Sequence, residues 1–490
     1  MTTADTLLLA EDYNLSHTPS DGILVALGFL MILTFMALIM TSRMTPMLAL
    51  ILVPTVFGLI GGAGLGIGDM VIDAVKDMAP TAALLMFAIM YFGIMINVGL
   101  FDPLITWITR ILGNDPAKIV FGTAVLAGVV SLDGDGSTTY IITTSAMLPL
   151  YLRLGMSPVI LTCVAGLVNG TMNIVPWGGP TVRAAAALGV EPSEVFVPML
   201  PSLAAGLVIC FVFAWLMGLA ERKRLGRLET SHLTGMTPRT DSTDATVAAS
   251  GTAGGAGGAG DVPPVHQQTS MADTMLDPNR ASLRPTLLGF NLALTVVVMV
   301  LLVADLFPLA YVFMVGAAIA LTVNFPRLKD QANEIVAHSS SIVAVVGMVL
   351  AAGVLVGVLD GTGMVTAMAE WITGIIPDSL GGYLAPITGL LSMPMTFFMS
   401  NDAFYFGILP VLSESAAHFG IEPVQMAQAS ITGQPVHMQS PLVPAILLLV
   451  SLANVDLGAH HRKVLWRAVV VSLVMLAVGI LLGPIPFHVG

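Results

Sequence analysis

The sequence predicts an all-α polytopic membrane protein of about ten transmembrane helices, arranged as two inverted five-helix repeats that each carry a re-entrant hairpin and a broken helix. Three observations lead there. First, 56% of the 490 residues are hydrophobic and 10% charged, with a mean hydropathy of +0.90, whereas a soluble domain is about a quarter charged. Second, apolar runs long enough to cross the hydrocarbon core, about 20 helical residues, recur along the chain. Third, short motifs recur in the same order at an offset of about 260 residues.

Taken in chain order, the candidate spans are about 22–41, 46–64, 81–101, 158–188, 195–219, 284–304, 308–325, 339–359, 424–452 and 463–487. Segments 158–188 and 424–452 are too long and too interrupted by Gly and Pro to be simple helices. Regions 117–152 and 382–417 each hold two apolar arms around a polar tip. Each arm has about 15 residues, short for a core of about 30 Å, so each pair reads as a hairpin that enters and leaves on one face. Non-helical backbone at that depth is tolerated only inside protein or around a watery cavity.

The organisation expected is an extracytoplasmic tail at 1–21, a first repeat at 22–219 and a second at 284–490. Between them lies a Gly/Ala-rich cytoplasmic linker, 220–283, whose low-complexity part is 228–283. Basic residues set the orientation. Arg222, Lys223, Arg224 and Arg227 place the central loop inside, and Arg43, Arg110, Lys118, Arg153, Arg327, Lys329, Arg462 and Lys463 then fall inside too. Lys76 falls outside with Asp69, Asp73, Glu191, Glu194, Asp360 and Asp378, and both termini are outside. A formal charge of −12 with few basic clusters argues against nucleic acid. Cys163 and Cys210 sit in oily segments and suggest no disulfide framework. The first 20 residues, with Asp5, Glu11 and Asp12, lack the basic start of a secretory signal.

The repeat rests on four pairs: GLFD at 99–102 with GVLD at 357–360, WIT at 107–109 and 371–373, Leu148-Pro149 with Leu409-Pro410, and GMSP at 155–158 with GIEP at 420–423. Five spans per half is odd, so the second half is inverted, and broken helices meeting near the midplane are the architecture of secondary transporters.

Repeat symmetry sets the tip LDGDGSTTY, 132–140, against MSNDAFY, 399–405, and pairs the breaks NGTMNIVPWGGPTVR, 169–183, and TGQPVHMQSPLVP, 432–444. Freed helix N-termini suit carboxylates and freed carbonyls suit cations. Asp133 and Asp135 are the sharpest signal, since a carboxylate within a membrane costs at least about 2.5–3.5 kcal/mol and so marks function. The competing explanation is a solvated turn, because Asp-Gly favours turns. A resident calcium loop is not matched: Thr138 stands where its glycine belongs and Thr144 where its bidentate glutamate belongs. In the second tip, Asn401 offers donor and acceptor and Asp402 a site for a proton, while Ser400 suits either a ligand or an N-cap. Asn169 and Asn173 share a helical face and suit either substrate or interhelical bonds. Arg183 suits a carboxylate or snorkels to the outer face. His437 suits a proton relay or a neutral core group. His460 and His461, beside Arg462, read as ordinary interface residues.

LDGDGSTTYIITTSAMLPLYLRLGM, NGTMNIVPWGGPT, SNDAFYFGILPVLSE and GQPVHMQSPLVPA closely resemble the metal–citrate:proton symporter family (CitMHS), within the wider group of divalent anion/sodium symporters. The likeness covers nearly the whole chain except 1–20 and 228–283. It implies that substrate and cation sit between the tips and the broken helices. It also implies an elevator-type transporter, in which those parts move as one body against the remaining spans, usually in a homodimer. Where the sodium-coupled relatives carry Ser-Asn-Thr at each tip, this chain has Ser400-Asn401-Asp402 and Gly136-Ser137-Thr138-Thr139, a departure that fits proton coupling through acidic side chains. The expected cargo is citrate complexed with Mg²⁺ or Ca²⁺, with no permanently bound cofactor. Asp133, Asp135, Asp402 and His437 are expected to couple protons, and Asp133 and Asp135 to face the substrate-borne cation. Gly136, Ser137, Thr138, Asn169, Asn173, Gly178, Gly179, Ser400, Asn401, Gly433, Gln434 and Ser440 are expected to hold carboxylates and hydroxyl. The alternatives are a proton- or sodium-coupled carrier of another carboxylate, such as a dicarboxylate or gluconate. A different class is an intramembrane aspartyl enzyme, which would need aspartates from two helices face to face.

Overall fold

The computed structural model describes residues 13, 15–17, 19–41, 43–103, 106, 113–134, 136–233, 280, 282–304 and 306–489. Asp135, the WIT motif at 107–109 and most of the low-complexity linker lie outside them. The first half comprises α1 (Asp21–Met40), α2 (Pro46–Ile60), α3 (Ile67–Asn97), α4 (Pro116–Val130), α5 (Gly136–Arg153), α6 (Pro158–Met172), α7 (Gly179–Leu188) and α8 (Leu200–Leu233). The second comprises α9 (Leu288–Ala304), α10 (Leu309–Asn324), α11 (Leu328–Gly361), α12 (Met364–Ile375), α13 (Leu384–Phe398), α14 (Leu409–Ala417), α15 (Pro423–Ile431), α16 (Gln434–His437), α17 (Pro444–Leu452) and α18 (Leu457–Leu482). The element order of the first half returns in the second: two helices, one long helix, a hairpin, a broken helix and a closing helix.

Prolines and glycines set these boundaries. Pro158 and Pro423 each occupy the first turn of a broken helix, where a missing N–H costs nothing. The glycines that open GMSP and GIEP, Gly155 (φ 67°) and Gly420 (φ 82°), both take the left-handed conformation that ends a hairpin arm. GLFD and GVLD are not equivalent, however. Gly99 (φ 88°) ends α3, whereas Gly357 lies inside α11, and the left-handed glycine that ends α11 is Gly363 (φ 74°). A shared Gly-x-x-Asp spelling misled the alignment, and the backbone corrects it by six residues.

Seven helices among the described residues are long and apolar enough to cross a membrane. α3 and α11 start at Ile67 and Leu328, well before the apolar windows at 81 and 339, because polar first turns extend both helices beyond the oily stretch. α8 likewise runs on to Leu233, past the expected boundary at 219. The first arm of hairpin one, with its 3₁₀ turn, spans Pro116–Asp133, 18 residues, and is itself long enough to cross. The chain nevertheless reverses at Gly134 (φ 77°), and α5 packs back along α4. In hairpin two, α13 ends at Phe398 and the return arm opens with a π-helical stretch, Ala403–Ile408, ahead of Pro410. Pro410 cannot donate to the carbonyl four residues back, and a widened turn is one way a helix absorbs that.

α3 and α11 pack along their lengths. Gly353, Gly357 and Gly361, four residues apart, allow this approach; a Cβ on Gly357 would stand 2.5 Å from the Met70 carbonyl oxygen. At one end of that crossing Asn97 Nδ2 donates to Glu334 Oε1 at 2.6 Å, and His338 Nε2 lies 3.2 Å from the same oxygen. α6 crosses the second break just as closely, since a Cβ on Gly170 would lie 3.0 Å from Cα of Pro435. At one end of the molecule, Asp115 caps α4 and pairs with Arg222, Arg153 reaches Asn114, and Glu221 accepts from the Ser157 N–H. Elsewhere Asp73, Asp77, Gly189, Asp360 and Glu414 line a cavity of about 280 Å³.

Gly357→Val should therefore cost about 1–3 kcal/mol by driving α11 off α3. It should lower the melting temperature in detergent, while Gly68→Ala, with nothing within 4 Å, should match wild type. The Arg222 guanidinium, helped by the Ala117 N–H, holds the Asp115 carboxyl below its usual value. Its stabilisation is thus present above the ordinary carboxyl range and fades as pH falls through the lowered value. Asp115→Asn should be less stable than wild type at neutral pH by about 0–1 kcal/mol, the range for a solvent-screened pair, and equal to it in strong acid.

Candidate functional site

Four polar segments meet where the halves join. In hairpin one, Ser131–Asp133 form a 3₁₀ turn with Asp133 buried, and Gly136, Ser137 and Thr138 open α5 half-buried. The first break runs from Asn173 to Gly178 between α6 and α7. The second tip is Ser400–Asp402, and the second break comprises Thr432-Gly433, the short α16 and Met438–Val443.

An amide in each broken helix holds the tip of its own half. Asn169 Nδ2 donates to Ser131 Oγ at 3.0 Å; Gln434 Nε2 donates to Asn401 Oδ1 at 3.3 Å and to Tyr405 Oη at 2.9 Å. Asn173 Nδ2 then donates to Gln434 Oε1 at 3.1 Å, which joins the two systems. Trp177 Nε1 donates to the Leu132 carbonyl at 2.8 Å, while its ring stands 5.4 Å from Phe92 and 5.3 Å from Phe313. The first tip is thereby attached to the first break and to the helices flanking it. Gly136 lies against this network, because a Cβ there would come 3.2 Å from Asn169 Oδ1. That oxygen, like the hydroxyls of Thr139, Thr143 and Thr144, is buried with no hydrogen-bond partner among the described residues.

Side chains of the second break meet backbone freed at hairpin two. His437 Nδ1 contacts the Thr396 carbonyl at 2.6 Å, and Ser440 Oγ donates to the Phe397 carbonyl at 2.6 Å. A carbonyl only accepts, so His437 carries its proton on Nδ1 and leaves Nε2 as the basic nitrogen. Ser400 Oγ accepts from the Ala403 N–H at 3.2 Å, the geometry of an N-cap. Gly178 and Gly433 are required by space: a Cβ would strike the Asn173 and Val175 carbonyls at the first, and Ser392 Oγ at the second. Gly179 lies beneath Arg183, whose Nη1 would sit 2.5 Å from a Cβ there.

Arg183 does not reach for the membrane surface. Its Nε donates to Asp402 Oδ1 at 2.6 Å, with the two side chains 18% and 11% exposed, and so ties the first break to the second tip. His460 also departs from expectation: it is fully buried, its ring nitrogens 3.1 Å from Thr162 Oγ1 and 3.2 Å from Gln439 Oε1. Gln439 Nε2 donates to the Gly166 and Pro435 carbonyls, so its oxygen must accept from His460. His461 meets the Gln439 carbonyl at 2.7 Å. Tyr405 and Gln439 stand inside motifs singled out from sequence and Ser131 directly ahead of one, but their contacts come from other elements and leave no local signal.

Among the described residues no group of three or more His, Cys, Asp or Glu gathers to hold a metal ion. Two carboxylates, one of them in an ion pair, several amides and freed backbone groups can recognise a polyanion and exchange a proton.

Comparison with known proteins identifies the fold and the family. The fold resembles that of the Alcanivorax borkumensis YdaH transporter, with a TM-score of 0.54 at 12% identity, over 84% of this chain and 87% of that one. A Bacillus subtilis citrate transporter is 46% identical over 465 residues, covering 95% of this chain and all of the relative. The Mg(2+)/citrate complex secondary transporter of the same organism is 45% identical over 467 residues, again 95% of this chain and all of the relative. The model of the citrate transporter family CitMHS matches residues 22–433. This chain, a multi-pass membrane transporter rather than an enzyme, belongs to that family.

Proposed function

We propose that the protein imports citrate as a complex with a divalent cation, in symport with protons. The carrying observation is the junction of Asn169, Asn173 and Gln434, which brings both hairpin tips and both broken helices to one place. The names of its relatives support the same cargo, since one carries citrate and another the Mg²⁺–citrate complex.

Charge supplies the physical reason. Citrate carries three negative charges and a divalent metal cancels two, leaving a monoanion far less costly to bring into a poorly solvated site. With two or more protons, inward movement becomes electrogenic and gains about 2.3 kcal/mol per net charge per 100 mV. Asp133, Asp135, Asp402 and His437 exchange the protons, and Asp133 and Asp135 face the metal side of the complex. Ser137, Thr138, Asn169, Asn173, Asn401 and the backbone near Gly136, Gly178, Gly179 and Gly433 take its carboxylates and hydroxyl. Gln434 and Ser400 order the second tip, and Ser440 fixes hairpin two.

The carrier works as an elevator and as a homodimer, with hairpins and broken helices moving together. The linker lies in the cytoplasm and both termini outside. Two groupings support that orientation. Arg153 and Arg222, counted as internal, share one end, and Asp73 and Asp360, counted as external, share one cavity.

Labelled citrate uptake into proteoliposomes under an imposed pH gradient, with Mg²⁺, Ca²⁺ or no divalent metal, tests the reading. Accumulation should require both the gradient and the metal. Uptake indifferent to metal, or dependent on sodium, would favour a carrier of free carboxylate instead. Asp133→Asn and Asp135→Asn should each abolish proton-driven accumulation while eluting as monodisperse protein, and unchanged transport in either would remove that residue from the site.

A further inference from the structure

We infer that Arg183 and Asp402 form an exchangeable pair, in which the Asp402 carboxylate and a carboxylate of the substrate compete for one guanidinium and a proton on Asp402 hands Arg183 to the substrate. This rests on the proposed citrate transport and adds Arg183 to the site as its carboxylate receptor.

The geometry sets this pair apart. Three other arginine–carboxylate pairs among the described residues are two-pronged. Arg222 uses Nε and Nη2 on the two Asp115 oxygens, Arg224 uses Nε and Nη2 on Glu221, and Arg280 Nη2 meets both Asp102 oxygens. Arg183 touches Asp402 through Nε alone. A guanidinium offers five donors in a planar fork suited to a bidentate carboxylate. Its outer edge, Nη1 and Nη2, has no hydrogen-bond partner among the described residues, although the side chain is only 18% exposed. Bare Gly179 leaves room for that edge beside the first break. Asp402 neighbours Asn401, which belongs to the amide junction through Gln434, so a ligand gripped by Arg183 would lie against it.

Charge balance explains why exchange suits symport. Arg183 and Asp402 together are neutral; an added monoanion leaves one uncompensated negative charge in a poorly solvated place, and a proton on Asp402 removes it. No covalent step is involved: the proton adds to a carboxylate oxygen and the ion pair re-forms with a different carboxylate.

Other charged groups face the pair. His437 lies within electrostatic reach of both partners, and Tyr405 within reach of Arg183. From packed elements, Glu414 on α14, Asp360 on α11 and Asp73 and Asp77 on α3 line one cavity with Ala186 and Ala187 of α7. The charged residues lining that cavity are all acidic, and Lys76 on α3 is already held by Asp73 at 2.7 Å, so Arg183 is the cation placed for a substrate carboxylate.

The test is binding of labelled citrate with Mg²⁺ to purified full-length protein from pH 5.5 to 8, for wild type, Asp402→Asn, Arg183→Gln, Arg183→Lys and the double variant Arg183→Gln/Asp402→Asn. Wild-type affinity should weaken as pH rises. Asp402→Asn should bind more tightly than wild type at pH 8 and show a shallower slope. Arg183→Gln should bind about tenfold or more weakly at every pH, as expected for loss of a charge-assisted fork. Arg183→Lys should recover part of the loss, and the double variant should bind more weakly than Asp402→Asn, because the gain from removing Asp402 requires Arg183. Each variant is checked for monodisperse elution and melting temperature. Asp402→Asn binding as poorly as Arg183→Gln, or keeping the wild-type pH slope, would overturn the exchange alone. Absence of citrate binding to wild type would overturn the transport reading and the exchange with it.

Discussion

Carbonyl groups released inside the hydrocarbon region are the constraint on which this structure depends. Each break and hairpin end strips oxygens of their helical partners, and lipid offers them no donor. The chain answers with side chains from other segments. His437 and Ser440 meet the last carbonyls of α13, Trp177 meets Leu132, Thr181 meets Ile174, and Gln439 meets Gly166 and Pro435. Four of these six contacts cross from one interrupted element to another, so the interruptions hold each other in place.

That mutual satisfaction makes a site out of what would otherwise be four defects. The amides of Asn169 and Gln434 act alike in the two halves, and Asn173 bridges them. Near that junction one oxygen of Asn169 and the hydroxyls of Thr139 and Thr143 are buried without a hydrogen-bond partner among the described residues. Buried polar atoms in this condition cost about 1–3 kcal/mol each.

The architecture was legible because its signals are local. Apolar length, Gly-Pro punctuation and the GMSP/GIEP pair each depend on residues near in sequence, and the left-handed Gly155 and Gly420 show why that pair was kept. GLFD with GVLD failed for the opposite reason: identity of letters says nothing of helix phase, which placed Gly357 mid-helix and Gly363 at the turn. The polar tips and breaks were legible as exceptions to an oily background. Their partners were not. Arg183 had two open readings until Asp402, 219 residues away, appeared beside it, and His460 read as an ordinary interface residue until Gln439 and Thr162 enclosed it. Side-chain pairing across such separations leaves no mark in one sequence.

The close crossing of α6 on the second break bears on ancestry. Residues 169 and 434 play matching parts, and the next position in each half is Gly170 and Pro435, the two that touch. Matching positions of the two halves therefore face each other there. Had the carrier begun as two copies of one half, that position would have faced its own duplicate, with a single residue type obliged to serve on both sides. Within one chain that obligation is absent, and glycine on one side makes room for proline on the other. Exchanging the two break sequences would not be a neutral operation, because the contact has a thin side and a thick one.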